Sequence, residues 1–166
     1  MKAERKYLAH YLDSAFDTTY AAASYVRLGK DLEEFSVELN PDVETSKNIL
    51  GENSVTHNGY EASSTADPIY YEYDDDLTEK MMEIAMLRKA GDECKTSYVE
   101  VLLKPNKDGG APTVVRAVRE DVYVIPTSYG GDTTGVQVPF EVRFAGNRVE
   151  GSFDLETKKF TAGQGL

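Results

Sequence analysis

The feature that most constrains the fold is a strict alternation of apolar and polar residues near the C-terminus. Every second residue from Val136 to Phe144 is apolar, which is the period of a strand buried on one face. Gly146-Asn147 follows, a pair suited to a two-residue hairpin turn. The pattern predicts a β-hairpin over Val136–Leu155, with Phe140 opposite Phe153.

The two faces of this predicted hairpin differ in polarity. The predicted core residues on the apolar face are Val138, Phe140, Val142, Phe144 and Phe153. The polar face sets Arg143 opposite Glu150, a favourable opposite-charge pair. No catalytic group lies in the segment, so the pattern favours a protein whose surface is its function.

Composition narrows the choice of fold and function. The chain has 166 residues, which suits one domain spanning residues 1–166. Its net charge of −11 argues against gripping nucleic acid, because such binding releases phosphate counterions to Lys and Arg. Cys94 is the single cysteine, which excludes an intramolecular disulfide and a cysteine-rich zinc site.

Outside the hairpin, the chain predicts one helix and several irregular segments. Residues 1–24 lack a clean period and predict an arm or irregular N-terminus, with a short helix around Glu4–Leu12 allowed before an extended part. Met1–Phe16 holds no apolar run long enough for a signal peptide or membrane span. Residues 41–52 predict a long polar loop between strands, and residues 162–166 a mobile tail. Helical spacing predicts an α-helix over about Leu77–Ala90.

Candidate chemistry is sparse. Asp74, Asp75 and Asp76 offer metal-type carboxylates, but adjacent residues rarely converge on one ion, and a helix N-cap with Glu79 three residues after Asp76 explains them better. We therefore predict no metal, no cofactor and no enzymatic activity. The two histidines, His10 and His57, have no predictable relation to a nucleophile.

Three tyrosines precede the predicted helix, and they allow two interpretations. Tyr70, Tyr71 and Tyr73 interleave with Glu72. Tyrosine is favoured where one end of the ring is dry and the other is wet, which indicates an interface patch. A strand whose tyrosines cover the core of the domain fits the same pattern.

Several segments of the chain resemble the major tail tube proteins of long-tailed (siphovirus-type) bacteriophages that infect Gram-positive bacteria. The segments that carry the resemblance, in chain order, are Val26–Glu34, Asn40–Thr45, Asn48–Glu52, Arg119–Val122, Ser128–Thr133 and Gly146–Asp154. The resemblance implies a mainly β fold, a β-sandwich or β-barrel with one flanking helix, an N-terminal arm and a long loop. Six copies would close into a ring, and stacked rings would form a hollow tube through which DNA passes.

The resemblance also implies locations and partners. The candidate lumen-facing residues are Gln137, Glu141, Arg143 and Glu150. The candidate inter-ring residues of the long loop are Asp42, Val43, Glu44, Lys47, Ile49 and Leu50. Partners would be other copies of the chain, a tape measure protein, a tail terminator and distal tail or baseplate proteins, with DNA in transit and no membrane. The protein would act in the virion tail after assembly in the host cytoplasm.

Two alternatives stay open at the level of sequence. Contractile tails and related injection systems use tube proteins of the same fold. A ligand- or carbohydrate-binding β-sandwich module is a different class of function, which the absence of Trp weighs against. Rings or tubes of purified protein would favour assembly, whereas saturable glycan binding would favour the module.

Overall fold

A computed structural model describes residues 1–17, 19–20 and 22–163. Within them the structure is mainly β with one α-helix, as predicted. The strands are β1 (Leu8–Asp13), β2 (Tyr25–Leu28), β3 (Pro41–Lys47), β4 (Asn53–Tyr60), β5 (Ser63–Ala66), β6 (Lys95–Lys104), β7 (Thr113–Pro126), β8 (Gly130–Asp132), β9 (Gly135–Gln137), β10 (Phe140–Asp154) and β11 (Lys159–Ala162). The helix α1 spans Asp76–Leu87, and short 3₁₀ turns span Arg5–Tyr7 and Gly91–Cys94. No helix of the described ranges has the length and apolar character needed to cross a membrane.

Seven strands form one curled antiparallel sheet, a half-barrel. Its order is β11-β10-β7-β6-β1-β2, and β5 pairs with the first residues of β10. The strands β3 and β4 form a separate two-stranded hairpin, and β8 and β9 form another.

Apolar residues pack on both faces of the sheet. Successive residues of one strand alternate between the faces, so Tyr98 and Val99 of β6 belong to different cores. One core lies under α1 and contains Leu12, Tyr98, Val122, Val124, Phe140, Val142, Met81 and Ile84. The other contains Tyr11, Tyr25, Val99, Val101, Ala117, Phe153 and Phe160.

The helix begins at a side-chain cap and ends at a left-handed residue. The Asp75 carboxylate accepts a hydrogen bond of 3.3 Å from the Leu77 amide, so an aspartate caps the helix one residue earlier than predicted. Arg88 adopts φ 52°, which breaks the helical path. The helix therefore ends three residues before the predicted Ala90, and Leu77, Met81 and Ile84 form its buried stripe.

The predicted C-terminal hairpin is wrong, because Phe140–Asp154 is one continuous strand paired with β7. Gly146 and Asn147 have positive φ of 99° and 57°, as a tight turn would require, but they form a bulged segment of β10. The Gly146 amide donates to the Glu120 carboxylate (3.1 Å), and the Asn147 side-chain amide donates to Asp121 (2.9 Å). These acidic groups of β7 stabilise the extended path.

The predicted N-terminal arm is also corrected by the structure. Residues Leu8–Asp13 form β1, which lies inside the sheet between β6 and β2. Every residue of this strand except Leu8 is buried. A strand covered on both faces carries apolar residues without clean alternation, which explains why the sequence showed no period there.

The two other irregular segments contain strands as well. The predicted loop of residues 41–52 consists of β3 and the turn that joins it to β4. Ala162, predicted as the start of a mobile tail, is the last residue of β11, and the Gly163 amide donates to the Glu150 carbonyl (3.3 Å). Backbone pairing with β10 orders both residues, while positions 164–166 lie outside the described residues.

Candidate interaction site

The hairpin β3–β4 projects from the body of the protein. Every residue of both strands is exposed except Gly59, which is half-buried. The strands pair from Pro41 opposite Tyr60 to Lys47 opposite Asn53. A strand rises about 3.3 Å per residue, so a hairpin of this length reaches roughly 20 Å from its base.

One face of the hairpin is more apolar than the other. Val43 pairs with His57, and Thr45 pairs with Val55, so these four side chains share a face. Val43 is 51% exposed and Val55 67% exposed. The His57 ring meets the Tyr60 ring edge-on at 4.7 Å between centroids. These exposed valines and the aromatic pair give the hairpin apolar surface that a contact with another molecule could bury.

The turn at the end of the hairpin is ordered by hydrogen bonds and presents two apolar residues. The Asn48 side-chain oxygen accepts hydrogen bonds from the Leu50 amide (2.9 Å) and the Glu52 amide (3.0 Å). The Gly51 amide donates to the Asn48 carbonyl (3.0 Å). Ile49 is fully exposed, and Leu50 is 76% exposed. We call Ile49 and Leu50 the tip.

A groove of about 830 Å³ lies between α1 and the β8–β9 hairpin. Six side chains define this groove: Tyr71, Tyr73, Met82, Met86, Tyr129 and Val136. The Tyr71 amide donates to the Val136 carbonyl (2.8 Å), which holds the two walls together. Aromatic and methionine side chains are enriched at protein interfaces, because they bury large areas and adapt in shape.

Two acidic residues, Glu79 and Asp132, also line the groove, and we call them its rim. The Tyr71 hydroxyl donates to the Glu79 carboxylate (2.5 Å), and this hydrogen bond is the main cause of the raised pKa of Tyr71. The Asp132 carboxylate accepts from the Thr134 amide (2.8 Å), which lowers the pKa of Asp132. The groove therefore has an apolar floor and a negative rim.

The three tyrosines before the helix do not all have the same role. Tyr71 and Tyr73 line the groove, with ring centroids 5.5 Å apart and planes nearly perpendicular. Tyr73 is 87% exposed, so this ring does not cover the core. Tyr70 is half-buried and bridges to Gln137 of β9.

The four candidate lumen residues do not share one face. Glu141 and Arg143 lie on one face of β10 and form an ion pair. Arg143 pairs in register with Tyr123, whereas Glu150 pairs with Val118. Tyr123 and Val118 are an odd number of positions apart in β7, so their side chains, and those of their partners, lie on opposite faces of the sheet. The predicted pair of Arg143 and Glu150 is wrong, because both lie along one strand.

Glu150 and the remaining hairpin candidates have other neighbours. Glu150 lies 3.8 Å from the Arg116 guanidinium of β7, and Gln137 lies in β9, outside the main sheet. Of the five predicted core residues, Val138, Phe140, Val142 and Phe153 are buried, and Phe144 is half-buried.

Sequence reasoning missed a polar network inside the sheet. The Arg148 guanidinium binds Glu100 of β6 and Glu120 of β7. Arg119 and Asp121 form a buried ion pair at 3.3 Å, and Arg119 also donates to the Tyr25 hydroxyl (3.2 Å). Three consecutive charged residues, Arg119-Glu120-Asp121, could have indicated this network. In a strand they point to alternate faces, and on covered faces such charges need partners.

The described residues place no three of His, Cys, Asp or Glu where they would hold a metal ion. Cys94 is buried, and burial raises the pKa of its thiol, which lowers the reactive thiolate fraction.

No family model matches the sequence, and no curated protein sequence matches it. Among solved structures, the chain superimposes on the sheath/tube terminator of an extracellular contractile injection system (PVC, extended state), with a TM-score of 0.52 and 11% identity over 92% of this chain and 98% of the terminator. The chain has the terminator's fold. A chain of the PVC sheath-tube complex in the extended state gives a TM-score of 0.49 and 11% identity, over 91% of this chain and 92% of that chain.

Proposed function

We propose that this protein is a structural subunit that self-assembles into a tail-like tube. The observation that carries the proposal is the projecting β3–β4 hairpin, whose apolar face and tip have no covering groups within the described part of the chain. The fold shared with a tube terminator supports the same assignment. The exposed side chains of this hairpin would be buried by contact with another subunit.

The finer proposal follows the sequence resemblance. Six copies form a ring, rings stack into the hollow tail tube of a long-tailed phage of Gram-positive bacteria, and DNA passes through without specific binding. Assembly takes place in the host cytoplasm, and the tube then joins tape measure, terminator and distal tail or baseplate proteins. No enzymatic step is part of this role.

The inter-ring and lumen surfaces are part of the proposal. Residues 42–50 of the projecting hairpin contact the next ring, which its reach and exposure support. Glu141 and Arg143 share a face of β10, and we assign these two to the lumen. This pair is neutral, and the net charge of −11 of the whole chain disfavours DNA binding, because contact releases no counterions from the phosphates.

A second candidate function is that of a terminator or tube subunit in a contractile system. The superposition on a PVC sheath/tube terminator favours it. The two candidates differ in growth, because a terminator stops at one ring, whereas a tube protein adds rings without limit.

Negative-stain electron microscopy and sedimentation velocity of the concentrated full chain test the proposal. We expect rings and tubes of variable length, with a sedimentation coefficient that rises with concentration. Single rings that never stack would favour the terminator. A chain that stays monomeric at all concentrations, with or without tail initiator proteins, would contradict both candidates.

A further inference from the structure

The tip and the groove are both apolar, although they lie on different parts of the subunit. The tip presents two adjacent branched apolar side chains, Ile49 and Leu50, on a turn already ordered by Asn48. The groove offers an apolar floor of tyrosine and methionine side chains.

The charges on the two sides of the tip bear on the orientation in which the groove would receive it. Lys47 lies at the end of β3 on one side of the tip, and Glu52 lies on the other side of the turn. Glu79 and Asp132 form the acidic rim of the groove. Docking with Lys47 toward this rim and Glu52 away from it is therefore favoured over the reverse orientation.

The tip does not occupy the groove of its own chain. Ile49 of the tip is fully exposed, and Met86 in the groove is 60% exposed. Both surfaces are therefore free in one subunit. The preordered turn reduces the entropy lost on binding, because its backbone needs no further ordering.

We propose that the groove between α1 and the β8–β9 hairpin is the docking site for the Ile49–Leu50 tip of a second copy of this chain. This inference rests on the proposed function and adds the receptor surface to it. The contact joins two different patches, so it is head-to-tail and propagates from copy to copy. Tyr73, Met86 and Tyr129 contact the tip, and Lys47 pairs with Glu79 or Asp132.

Cysteine cross-linking between two variants tests the contact directly. Leu50→Cys and Met86→Cys are purified separately, mixed and mildly oxidised, with the buried Cys94 kept in both. We expect a disulfide-linked heterodimer at several-fold higher yield than from either variant alone. Val115→Cys, at 47% exposure on β7, replaces Met86→Cys in the control mixture. Equal yields with Val115→Cys, or tip-to-tip dimers of Leu50→Cys alone, would overturn the inference.

A matched pair of helix variants tests the same contact without cysteines. Met86→Lys adds a cation that opposes Lys47 and removes apolar contact, so we expect about a tenfold rise in the concentration needed for assembly. Leu87→Lys changes the neighbouring residue, which is exposed and outside the groove lining, and we expect less than about a twofold change. Unchanged circular dichroism checks that both variants fold. An equal effect of the two variants would contradict the groove as receptor.

The outcomes separate the two proposals. Tubes without the Leu50–Met86 cross-link would overturn the docking inference and leave the proposed function. The cross-link in small oligomers that never form rings or tubes would support docking and contradict the tube. Absence of both would overturn both.

Discussion

His10 is a buried residue whose ionisation couples the fold to pH. Arg5 has only donors, so His10 Nε2 accepts its hydrogen bond of 2.9 Å. The neutral ring therefore carries its proton on Nδ1 and donates to the Tyr98 hydroxyl, which donates in turn to Glu100 (3.4 Å). Burial first, and then the charges of Arg5 and Arg27, lower the pKa of His10 from 6.5 to about 4.

We expect acid to destabilise the protein through His10. Above pH 6.5 the ring is neutral in both states, and its contribution to stability is complete. Between pH 6.5 and pH 4 the unfolded chain binds a proton that the folded chain does not, so the free energy of unfolding falls, by about 3 kcal/mol in total. Urea denaturation of the wild type and His10→Gln measures the difference. The same pH dependence of the unfolding free energy in both proteins would contradict the prediction.

Phe140 and Phe153 report on the cores of the two sheet faces. Phe140 is fully buried, and Phe153 contacts Tyr11 at 4.7 Å between ring centroids. Truncation to alanine leaves a cavity, so each variant should lose about 3 to 5 kcal/mol of unfolding free energy. Val136→Ala, at a 50% exposed site, should change it by less than about 0.5 kcal/mol. Chemical denaturation measures all three, and a small loss at Phe140 would indicate that its core is not well packed.

At the scale of elements, the β3–β4 hairpin can be separated from the fold. The Glu61 amide donates to the Asn40 carbonyl (3.3 Å), and the Asn40 side chain donates to the Glu61 carbonyl (3.1 Å). The two ends of the hairpin therefore already meet at its base. The body of the protein should close without the intervening residues 41–60.

We expect excision of the hairpin to block assembly without unfolding the subunit. Joining Asn40 to Glu61 through Gly-Gly should change the unfolding free energy by less than about 1 kcal/mol, because the removed side chains are exposed. Circular dichroism and sedimentation velocity check both parts. An unfolded variant would show that the hairpin supports the fold, and normal tubes would show that it is not an assembly element.

The β10 strand shows why element boundaries were hard to predict. Gly146-Asn147 adopts the positive φ that a hairpin turn needs, but the same backbone also fits a bulge. The choice depends on Glu120 and Asp121, which lie 26 residues away in sequence. The helix was predictable, because its capping aspartate and its i, i+4, i+7 apolar stripe are local.

At the scale of the whole molecule, the net charge of −11 opposes association. Like-charged subunits repel over about 10 Å at 0.1 M salt, and over longer distances at lower salt. We therefore expect assembly to increase as the salt concentration rises from about 20 mM to about 300 mM. Light scattering across this range of salt concentration measures assembly, and sucrose in place of salt is the uncharged control. Assembly that weakens with salt would show that ion pairs between subunits outweigh the net repulsion.

Part of the candidate site could be predicted from the sequence alone. The polar segment from Pro41 to Gly51 was a surface feature without a core pattern, and the structure shows every one of these residues exposed. The groove could not be predicted, because Tyr73, Met86 and Tyr129 come from separate segments. Only the docking of α1 beside the β8–β9 hairpin places these side chains together.

The sequence by itself determined a mainly β fold with one capped helix, since alternation, helical spacing and capping residues act over a few positions. Tertiary structure decided the path of β10, the place of β1 inside the sheet and the projection of β3–β4. Strand pairing depends on partners distant in sequence, and the same local pattern satisfies more than one pairing. The observed pairing is the one that is stabilised by the charges of Glu120 and Asp121 and by burial of both sheet faces.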